Sequence, residues 1–595
     1  MRTIAIIGSG ITGNLAAMYF RKRLPDVKVI VIGRHDRERL LVGESTVELT
    51  THFLKALGLS SLLEERHYHK YGLTYYFKLS SDPASHRYVV HEAPGVIRMP
   101  AFNLNRWTFD RDIRQINDEI GVERVDGDVA DIALNVGDRR MHRLTLRERN
   151  GATATLDADW VVDASGRNRF LARKLDLKKE APYQRSSFWF RLKRFDRTTL
   201  ADIDATRVEH HCYDPYYVTH HFYGRAYWIW VIPMRSETGG DLVSIGITYR
   251  ADMLGRDIAS VDDFVACVAA DHPVIGELVR SGEVHDVNAL RNYMYESKQH
   301  YSVDGWFLIG DAAFTFDPAN SAGLSYVAQE IPHVAAMIRK DIDGMLHQTY
   351  VDCLEAHIQA QLSLQDAWSH WYEFMHDPLR MAWTLLVSNM AYFHILLPTY
   401  VNGGFLDGNQ ARQLADLLPR FPRGAQPPAY PFPCLLDAVA RSHPDIGPAL
   451  LPNLYERTVN FDLYRADEAA RPRYAARYFR LLVALRLRLM RHVAWRPTPA
   501  HLRLASRHLL GAAKDAMRSL ALSVRPSLFY RYGPSSPILA SPFEPNGGFL
   551  RVARFNQTNS PPLDALRESS QRGRDGTPTA TDVTADMAAE AAASQ

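Results

Sequence analysis

A glycine-rich turn near the beginning of the chain has the spacing that positions a nucleotide phosphate. It lies between the apolar run 1–7, which suits a buried parallel strand, and the segment 14–23, which has helical composition. The first glycine permits the tight turn, the second lets the backbone approach a pyrophosphate, and the third lets helix and strand pack closely. Unpaired N–H groups at the start of the helix then face the phosphates. The predicted dinucleotide-binding turn consists of Gly8, Ser9, Gly10, Ile11, Thr12 and Gly13.

The end of the second predicted strand departs from the usual dinucleotide-binding pattern. Residues 27–32 complete the first β-α-β unit, and an acidic residue normally follows such a strand to hold the ribose hydroxyls. Here Gly33 and Arg34 follow instead. We expect the adenosine end of the ligand to be held by backbone groups or by Arg34. The departure argues more strongly against a nicotinamide cofactor than against FAD, which has many other contacts.

Two further predicted strands end in turns that are rich in glycine and polar residues, and a similar loop precedes a predicted helix. The apolar stretch 159–164 and the buried run 306–309 each end in such a turn, and the loop 41–46 leads into a predicted helix over 47–57. Candidate cofactor-binding residues in these segments, and at the start of a further predicted helix, are Glu44, Ser45, Arg106, Asp163, Ser165, Gly166, Gly310 and Asp311.

The three turns resemble, in the right order, the three FAD fingerprints of the glutathione-reductase-type flavoprotein monooxygenases. The resemblance covers residues 1–340 and implies FAD as the cofactor, with Asp311 at the ribityl chain. It also implies an α/β fold: a glutathione-reductase-type, Rossmann-like FAD-binding domain, an interwoven β-sheet substrate domain and a helical C-terminal region. No separate NAD(P)H fingerprint is evident, so we expect a separate flavin reductase to deliver reduced FAD (FADH2).

A tryptophan-rich segment narrows the resemblance. Residues 228–233 read W-x-W-x-I-P, a pattern that marks the flavin-dependent halogenases, and residues 43–46 resemble the flavin-side loop of that family. The resemblance implies that Trp228 and Trp230 line the flavin side and discourage direct reaction of the organic substrate with the flavin. Taken alone, the same residues also suit a buried aromatic strand.

The halogenase resemblance further implies one lysine between the flavin and the substrate. In that family, reduced flavin, oxygen and chloride or bromide generate hypohalous acid, which must reach the substrate without escaping. An ammonium on a flexible stem can hydrogen-bond this acid or form a haloamine, whereas arginine would not form the haloamine. We predict Lys78, in the strand-like segment 71–79, as the catalytic residue, with Lys70 as its rival. The alternative is that Lys78 is a solvated lysine at a strand end.

The segment after the third fingerprint indicates the class of substrate. Tryptophan halogenases carry a glutamate shortly after this fingerprint, whereas the corresponding residue here is Asn320. The surrounding Asp-Pro, small residues and glycine resemble the branch that acts on phenols, pyrroles or other electron-rich substrates, often tethered to a carrier protein. An electron-rich aromatic or heteroaromatic group is therefore the expected substrate, rather than free tryptophan. Residues that resemble the family's flavin- and halide-binding backbone are Pro318, Ser321 and Gly323.

Composition gives no global reason to expect a nucleic acid partner, because the 595-residue chain has 23% charged residues and a net charge of +3. The first strand begins at the N-terminus, so we expect a cytoplasmic protein. Four widely spaced cysteines indicate reduced thiols.

We expect an FAD-binding domain over 1–340 with substrate-sheet insertions at 60–105 and 180–300, a helical substrate-cavity region over 341–550 and a disordered tail over 551–595.

Histidines and arginines form two further groups. No metal is expected at the pairs 210–211 and 220–221, which we interpret as histidines on a strand surface. The region 471–531 is rich in arginine and lysine and contains a single carboxylate, Asp515. It is either a solvated basic helix face or a docking surface for an acidic acyl or peptidyl carrier protein. Membrane contact is not expected, because the apolar stretch 381–398 is better interpreted as a buried helix.

Two other functions remain open on this evidence. A flavin-dependent hydroxylase or epoxidase on the same fold would transfer oxygen directly to the substrate. An inactive flavoprotein would bind FAD or a partner without turnover. Dependence of the product mass on halide separates the first alternative from halogenation, and oxygen consumption with reduced FAD separates the second.

Overall fold

A parallel five-stranded sheet carries the three predicted fingerprint turns. Its strands are β1 Arg2–Ile7, β2 Val27–Ile32, β7 Glu123–Val125, β11 Trp160–Asp163 and β20 Trp306–Leu308. In the computed structural model they lie in the order β20-β11-β1-β2-β7, and every neighbouring pair is parallel. The turns that follow β20, β11 and β1 therefore meet at the carboxyl ends of adjacent strands, where open α/β sheets bind ligands.

The structure describes most of residues 1–524. Within this range, the residues outside the description are 35–41, 79–86, 92–100, 138–140, 149–150, 182, 202, 206–213, 402, 418–432 and 444–470. The predicted tail 551–595 also lies outside the described residues, as do the histidine pair 210–211 and the end of the basic region, 525–531.

The first half of the chain supplies short helices that flank this sheet or the second large sheet described below. The predicted helices at 14–23, at 47–57 and after residue 105 are all present, and an asparagine side chain caps α4 by accepting from Trp107 N. The helices are α1 Ile11–Arg23, α2 Glu48–Ala56, α3 Ser60–Arg66, α4 Arg106–Glu119, α5 Phe170–Lys174, α6 Thr198–Ala201, α7 Ala251–Leu254, α8 Val261–Val268 and α9 Pro273–Ser281.

A three-stranded antiparallel sheet joins β7 to β11 along the chain. Its strands are β8 Gly127–Val136, β9 Met141–Glu148 and β10 Thr153–Ala158. The strands β7 and β8 follow each other directly along the chain, but they do not pair with each other. β7 joins the five-stranded sheet beside β2, whereas β8 pairs with β9, so two adjacent strands in sequence belong to different layers.

A second large sheet has eight strands drawn from two separate stretches of the chain. Its strands, in spatial order, are β14 Asp204–Ala205, β5 Arg87–His91, β4 Leu73–Lys78, β15 Thr219–Gly224, β16 Tyr227–Arg235, β17 Asp241–Tyr249, β13 Ser186–Lys193 and β18 Glu283–Leu290. Successive side chains alternate between its faces. One face packs on α8 and α9, and the other contributes to the main core with the FAD-binding sheet and the C-terminal helices. Burial on both faces explains the aromatic-rich sequence.

Two short strand pairs connect the layers. β3 Tyr68–Lys70 pairs with β6 Ala101–Asn103, and β12 Lys178–Glu180 pairs with β19 Tyr295–Ser297, both antiparallel. In the first pair, β3 lies between α3 and β4 along the chain, and β6 contacts the loop that precedes α2. That loop is bound to β6, because Thr46 N donates to the Phe102 carbonyl at 3.0 Å and Leu104 N donates to the Glu44 carbonyl at 2.6 Å.

Helices dominate the chain after residue 322. They are α10 Gly323–Ile342, α11 Gln348–Ala367, α12 Pro378–Ala391, α13 Leu397–Val401, α14 Gly408–Leu417, α15 Pro433–Ser442, α16 Arg471–Arg491 and α17 Pro499–Val524. A π-helical turn, Tyr392–Leu396, joins α12 to α13. By length and composition the described segment Pro378–Val401 could cross a membrane, but 72% of its most apolar window is buried within the fold, as expected for a core helix.

Candidate active site

In the glycine-rich turn after β1, the first and last glycines pack against backbone atoms, whereas the middle glycine faces open space. A Cβ atom on Gly8, which has φ +115°, would lie 2.3 Å from the Ala164 carbonyl oxygen, and one on Gly13 would lie 2.0 Å from the Gly8 carbonyl oxygen. A Cβ atom on Gly10, the N-cap of α1, would meet nothing within 4 Å. The turn thus packs its first and last glycines against backbone and leaves open space at the helix N-terminus, which fits a pyrophosphate.

The turns after β11 and β20 lie at the same edge of the sheet but present their aspartates differently. The Asp163 carboxylate is buried and accepts hydrogen bonds from Ser165 N at 2.9 Å and Leu171 N at 2.7 Å, so it shapes its turn. Gly166 follows with φ +63°. Asp311, in contrast, keeps an exposed side chain.

The first and third turns also touch each other. A Cβ atom on Gly310 would lie 2.8 Å from Thr12 Oγ1, and Thr12 follows Ile11 in the first turn of α1. Gly310 N is held by the buried carboxylate of Glu330, at 2.8 Å. The predicted cofactor residues of all three turns are therefore adjacent, and their open glycine and exposed carboxylate fit FAD.

Close packing explains why no acidic residue follows β2. A Cβ atom on Gly33 would lie 2.7 Å from Ser9 Oγ and 2.8 Å from Ser9 N, so a larger residue would displace the phosphate-binding turn. Arg34 forms an ion pair with Asp128, and its carbonyl accepts a hydrogen bond from Ser9 Oγ at 3.0 Å. The backbone of this corner is thus tied to the glycine-rich turn.

The loop 43–46 is held by a buried ion pair of Glu44, and the residue before it, Val42, is held by a hydrogen bond from Arg106. The Glu44 carboxylate lies 3.2 Å from the Arg191 guanidinium, which also contacts Asp286 at 2.8 Å. Arg106 donates to both oxygens of Asp110, at 2.8 and 2.9 Å, and to the carbonyl of Val42. Glu44 and Arg106 are therefore engaged within the protein and hold the loop rigidly.

The rival lysines occupy different environments. Lys70, at the end of β3, is 2% exposed, and its ammonium donates to Ser45 Oγ and to the Thr46 carbonyl, each at 2.7 Å. Burial lowers the pKa of Lys70 to about 7, and the charge of Glu48 opposes that fall. Lys78, at the far end of β4, is half-buried and donates to the Ala270 carbonyl at 2.9 Å. The structure brings Lys70, and not Lys78, to the predicted flavin-side loop.

A row of aromatic rings extends from Lys70 across the eight-stranded sheet. His221 interacts electrostatically with Lys70, and its ring centroid lies 4.9 Å from that of Trp228, which is 5.6 Å from Trp230. Both members of the pair His220-His221 are buried, so the expectation of surface histidines is wrong. Burial, with the neighbouring Lys70 and His220, lowers the pKa of His221 well below its usual value, so the ring is neutral.

The other end of this row is attached to the segment 317–323 through Asp317. Its buried carboxylate accepts from Trp228 Nε1 at 3.2 Å, from the Tyr372 hydroxyl at 2.5 Å and from Arg185 Nε at 3.2 Å. It also accepts from Ala319 N at 3.1 Å, which caps a short 3₁₀ turn. Trp230 is held separately, by a 3.3 Å bond from its Nε1 to Ser244 Oγ.

Accessible backbone follows this anchor. Pro318 is exposed, Asn320 and Ser321 are half-buried, and Gly323 is exposed at the start of α10. Ser321 has φ +54°, a left-handed conformation that turns the chain sharply before the helix. The segment predicted to bind halide and flavin thus combines a fixed anchor at Asp317 with exposed positions in the loop that follows.

Sequence reasoning assigned no site role to four residues that organise this site. They are Glu48, Arg185, Asp317 and Tyr372. Asp317 and Glu48 directly adjoin recognised segments, so their position was available as a signal. Arg185 and Tyr372 come from distant parts of the chain, and only the fold brings them to the tryptophan strand.

The sequence of residues 3–364, which is more than half of the chain, matches the model of a known protein family. Residues 3–95 and 78–364 match the family model described as tryptophan halogenase. The flavin-dependent halogenase chlA of Dictyostelium discoideum is 28% identical over 435 residues, which cover 67% of this chain and 70% of that protein. The 1H-pyrrole-2-carbonyl-[peptidyl-carrier protein] chlorinase of Pseudomonas fluorescens is 26% identical over 412 residues, which cover 65% of this chain and 86% of that protein.

Solved structures share the fold. The halogenase PltM, determined in complex with phloroglucinol and FAD, aligns with a TM-score of 0.56 at 20% identity and covers 85% of this chain and 99% of its own. The flavin-dependent brominase Bmp2 aligns with a TM-score of 0.51 at 23% identity and covers 63% of this chain and 89% of its own. These similarities confirm the predicted α/β flavoprotein fold.

Proposed function

The chain belongs to the tryptophan halogenase family, and we propose that Lys70 is its catalytic lysine in the halogenation of an electron-rich aromatic or heteroaromatic substrate. The family and its relatives identify the protein as an FAD-dependent halogenase, as the sequence predicts. They favour neither a hydroxylase or epoxidase nor a non-catalytic flavoprotein. Chloride or bromide is the proposed co-substrate, and a separate reductase is the proposed source of reduced FAD.

The single observation that carries the role of Lys70 is that its buried amine donates hydrogen bonds to Ser45 and Thr46 of the flavin-side loop. Pairwise contacts through His221 and Trp228 connect it to the segment 317–323. When bound, reduced FAD activates oxygen and converts the halide into hypohalous acid. Protonated Lys70 can donate a hydrogen bond to this acid. Neutral Lys70 can attack its halogen: the N–X bond forms, the O–X bond breaks, and water leaves with one proton of the amine.

The neighbouring groups favour such a step. Because the pKa of Lys70 is lowered to about 7, both the ammonium and the amine are populated near neutral pH. Ser45 Oγ and the Thr46 carbonyl accept from the amine and hold it in one orientation. Trp228 and Trp230 form a wall that we propose keeps the organic substrate away from the flavin, while Asn320 and Ser321 lie on the substrate or halide side.

A carrier-bound substrate is the second part of the proposal. Two relatives are named as halogenases of a pyrrole bound to a peptidyl carrier protein, and carrier proteins are acidic. In the basic region, Arg480, Arg488 and Arg491 on α16 are exposed. Arg486 is unsuited to docking, because it lies 3.1 Å from Asp515 in a mostly buried ion pair between α16 and α17.

The docking proposal is tested with a triple variant. R480E/R488E/R491E should lose capture by an acidic carrier protein, while R194E/R291E, which changes exposed arginines elsewhere, should retain it. Equal capture by both variants would contradict carrier docking at α16.

We propose a cytoplasmic location, since the one described apolar segment long enough to cross a membrane is mostly buried.

The main experiment compares the two lysines. Wild type, Lys70→Ala and Lys78→Ala are incubated with bromide, NADH, a general flavin reductase and a panel of phenols, pyrroles and indoles, and products are identified by mass spectrometry. We expect brominated product to disappear in Lys70→Ala, with FAD binding intact, and to persist in Lys78→Ala. The reverse pattern would return the role to Lys78, and an oxygenated product independent of bromide would support a hydroxylase.

A further inference from the structure

A chain of hydrogen bonds links the Lys70 amine to the strands β15 and β6. Lys70 Nζ donates to Ser45 Oγ at 2.7 Å, and Ser45 Oγ lies 2.8 Å from Thr219 Oγ1. Thr219 Oγ1 in turn donates to Asn103 Oδ1 at 3.1 Å. All four side chains are buried. Each hydroxyl hydrogen in the chain therefore needs an acceptor within the protein.

This chain has one direction, because each hydroxyl carries a single hydrogen. The hydrogen of Thr219 is committed to Asn103, so Ser45 must be the donor in the contact between the two hydroxyls. Ser45 then presents a lone pair to Lys70. The opposite rotation of the Asn103 amide would leave one hydroxyl hydrogen of the chain with no acceptor among the residues that the structure describes.

The backbone fixes the members of the chain relative to one another. Thr219 is the first residue of β15, and its N–H donates to the Gly72 carbonyl, just before β4, at 3.0 Å. Asn103 is the last residue of β6, and its backbone forms an antiparallel bridge with Ser45. The hydroxyl of Ser45 is thus held between two strands rather than on a freely moving loop.

The direction of the chain decides how the Lys70 amine is oriented. Ser45 Oγ and the Thr46 carbonyl are its acceptors among the residues that the structure describes. The ammonium has one hydrogen left over, whereas the neutral amine uses both hydrogens and has its lone pair in that same remaining position. The hydrogen that can bond hypohalous acid and the lone pair that can bond its halogen therefore point the same way. A Ser45 hydroxyl that turned its hydrogen to the amine would occupy this lone pair.

We propose that Thr219, with Asn103 as the final acceptor, is a positioning residue that keeps Ser45 turned as an acceptor towards Lys70. The inference rests on the proposed role of Lys70 and deepens it. Thr219 carries no charge, so its substitution does not alter the titratable groups that interact electrostatically with Lys70. These groups are Glu48 on α2 and the neutral His221 on β15.

The direct test reads the Lys70 amine in the protein without substrate or turnover. Protein labelled with [13Cε]lysine is titrated by NMR, and the Lys70 resonance is identified by its loss in Lys70→Arg. Ser45→Ala should lower the midpoint by about one to two pH units, because the ammonium loses an acceptor. Thr219→Val should lower it by about one unit, because the freed Ser45 hydroxyl donates to the neutral amine and stabilises it. Asn103→Leu should act in the same direction, whereas Thr219→Ser, which keeps the hydroxyl, should retain the wild-type midpoint.

Turnover at pH 9 separates orientation from protonation. Because the pKa of Lys70 is lowered to about 7, the amine is largely neutral at this pH in wild type and in variants that lower the pKa further. Thr219→Val should lower kcat about tenfold, with KM for bromide and FAD binding unchanged, because the lone pair is occupied. Thr219→Ser should restore kcat. Thr399→Val removes another buried threonine hydroxyl, one that donates to the Ile395 carbonyl, and should match wild type in kcat and in midpoint.

The possible results are distinct. Equal midpoints in wild type and in folded Thr219→Val or Asn103→Leu overturn the inference, as do equal losses of kcat in Thr219→Val and Thr219→Ser. Persistent halogenation by Lys70→Ala would instead refute the proposed role of Lys70, and the NMR titration would still decide whether Thr219 orients its amine.

Discussion

Tyr372 offers a local test of how the halide segment is held. Its hydroxyl donates to the Asp317 carboxylate, the ion-pair partner of Arg185, at 2.5 Å, and Arg185 stacks over its ring at 4.1 Å. Tyr372→Phe keeps the ring, and hence the stacking, but removes the hydroxyl. A hydrogen bond to a charged group contributes about 1.5–3 kcal/mol. Trp228 Nε1 loses one acceptor but retains Asp317, so the cost falls mainly on the carboxylate.

The effect should appear as local opening of the segment that Asp317 caps. Because about 1.4 kcal/mol is a factor of ten in an equilibrium constant, the amide of Ala319, which donates to Asp317, should exchange its hydrogen about 10- to 150-fold faster in the variant. Hydrogen exchange with mass spectrometry on peptides spanning residues 312–327 measures this. Tyr350→Phe, whose hydroxyl bonds a neutral carbonyl elsewhere, serves as control. Equal exchange in wild type and Tyr372→Phe would refute the anchoring argument.

Three further predictions concern the cofactor turns. Gly13→Ala should fail to fold the turn, because its Cβ would lie 2.0 Å from a carbonyl oxygen, whereas Gly10→Ala should melt like wild type but bind FAD more weakly by titration, because only the phosphate space is filled. Gly33→Asp should lower the melting temperature and not improve FAD binding, because its Cβ would overlap Ser9, 2.7 Å away. Burial raises the pKa of Glu330 to about 8, so its contribution to stability is full below the unfolded pKa and is lost as pH rises through about 8. The gain in melting temperature of Glu330→Gln over wild type should therefore be larger at pH 9 than at pH 4, which lies below the unfolded pKa of 4.5; a constant difference would contradict this.

Elements with local signals could be predicted from the sequence. The strand-turn-helix of residues 1–23, the strands before Ala164 and Ile309, and the helix after Ala322 depend on short apolar runs and nearby glycines. Their convergence follows from the parallel order of neighbouring strands. The non-pairing of β7 and β8 could not be predicted in this way, because which sheet a short strand joins depends on distant partners.

The choice between the two lysines illustrates the limit within the site. The sequence favours Lys78 because it lies within a strand-like segment roughly thirty residues after the loop 43–46, but residues that end a strand can face very different surroundings. Lys70 is buried against Ser45 and Thr46 because β3 pairs with β6, to which the loop 43–46 is also bound. That pairing joins segments about thirty residues apart and leaves no periodic signal in either of them.

The C-terminal helices complete the site rather than merely cover it. Two carboxylates next to the recognised motifs, Glu48 and Asp317, are both buried, and a buried ionised carboxylate is costly unless it is paired and hydrogen-bonded. Each accepts a tyrosine hydroxyl from beyond α10, Glu48 from Tyr392 and Asp317 from Tyr372. One of these bonds holds the start of α2, two residues after the loop 43–46, and the other anchors the proposed halide segment. The helical region therefore holds both the start of α2, which follows the flavin-side loop, and the proposed halide segment, and substitutions within it should alter halogenation without touching any FAD fingerprint.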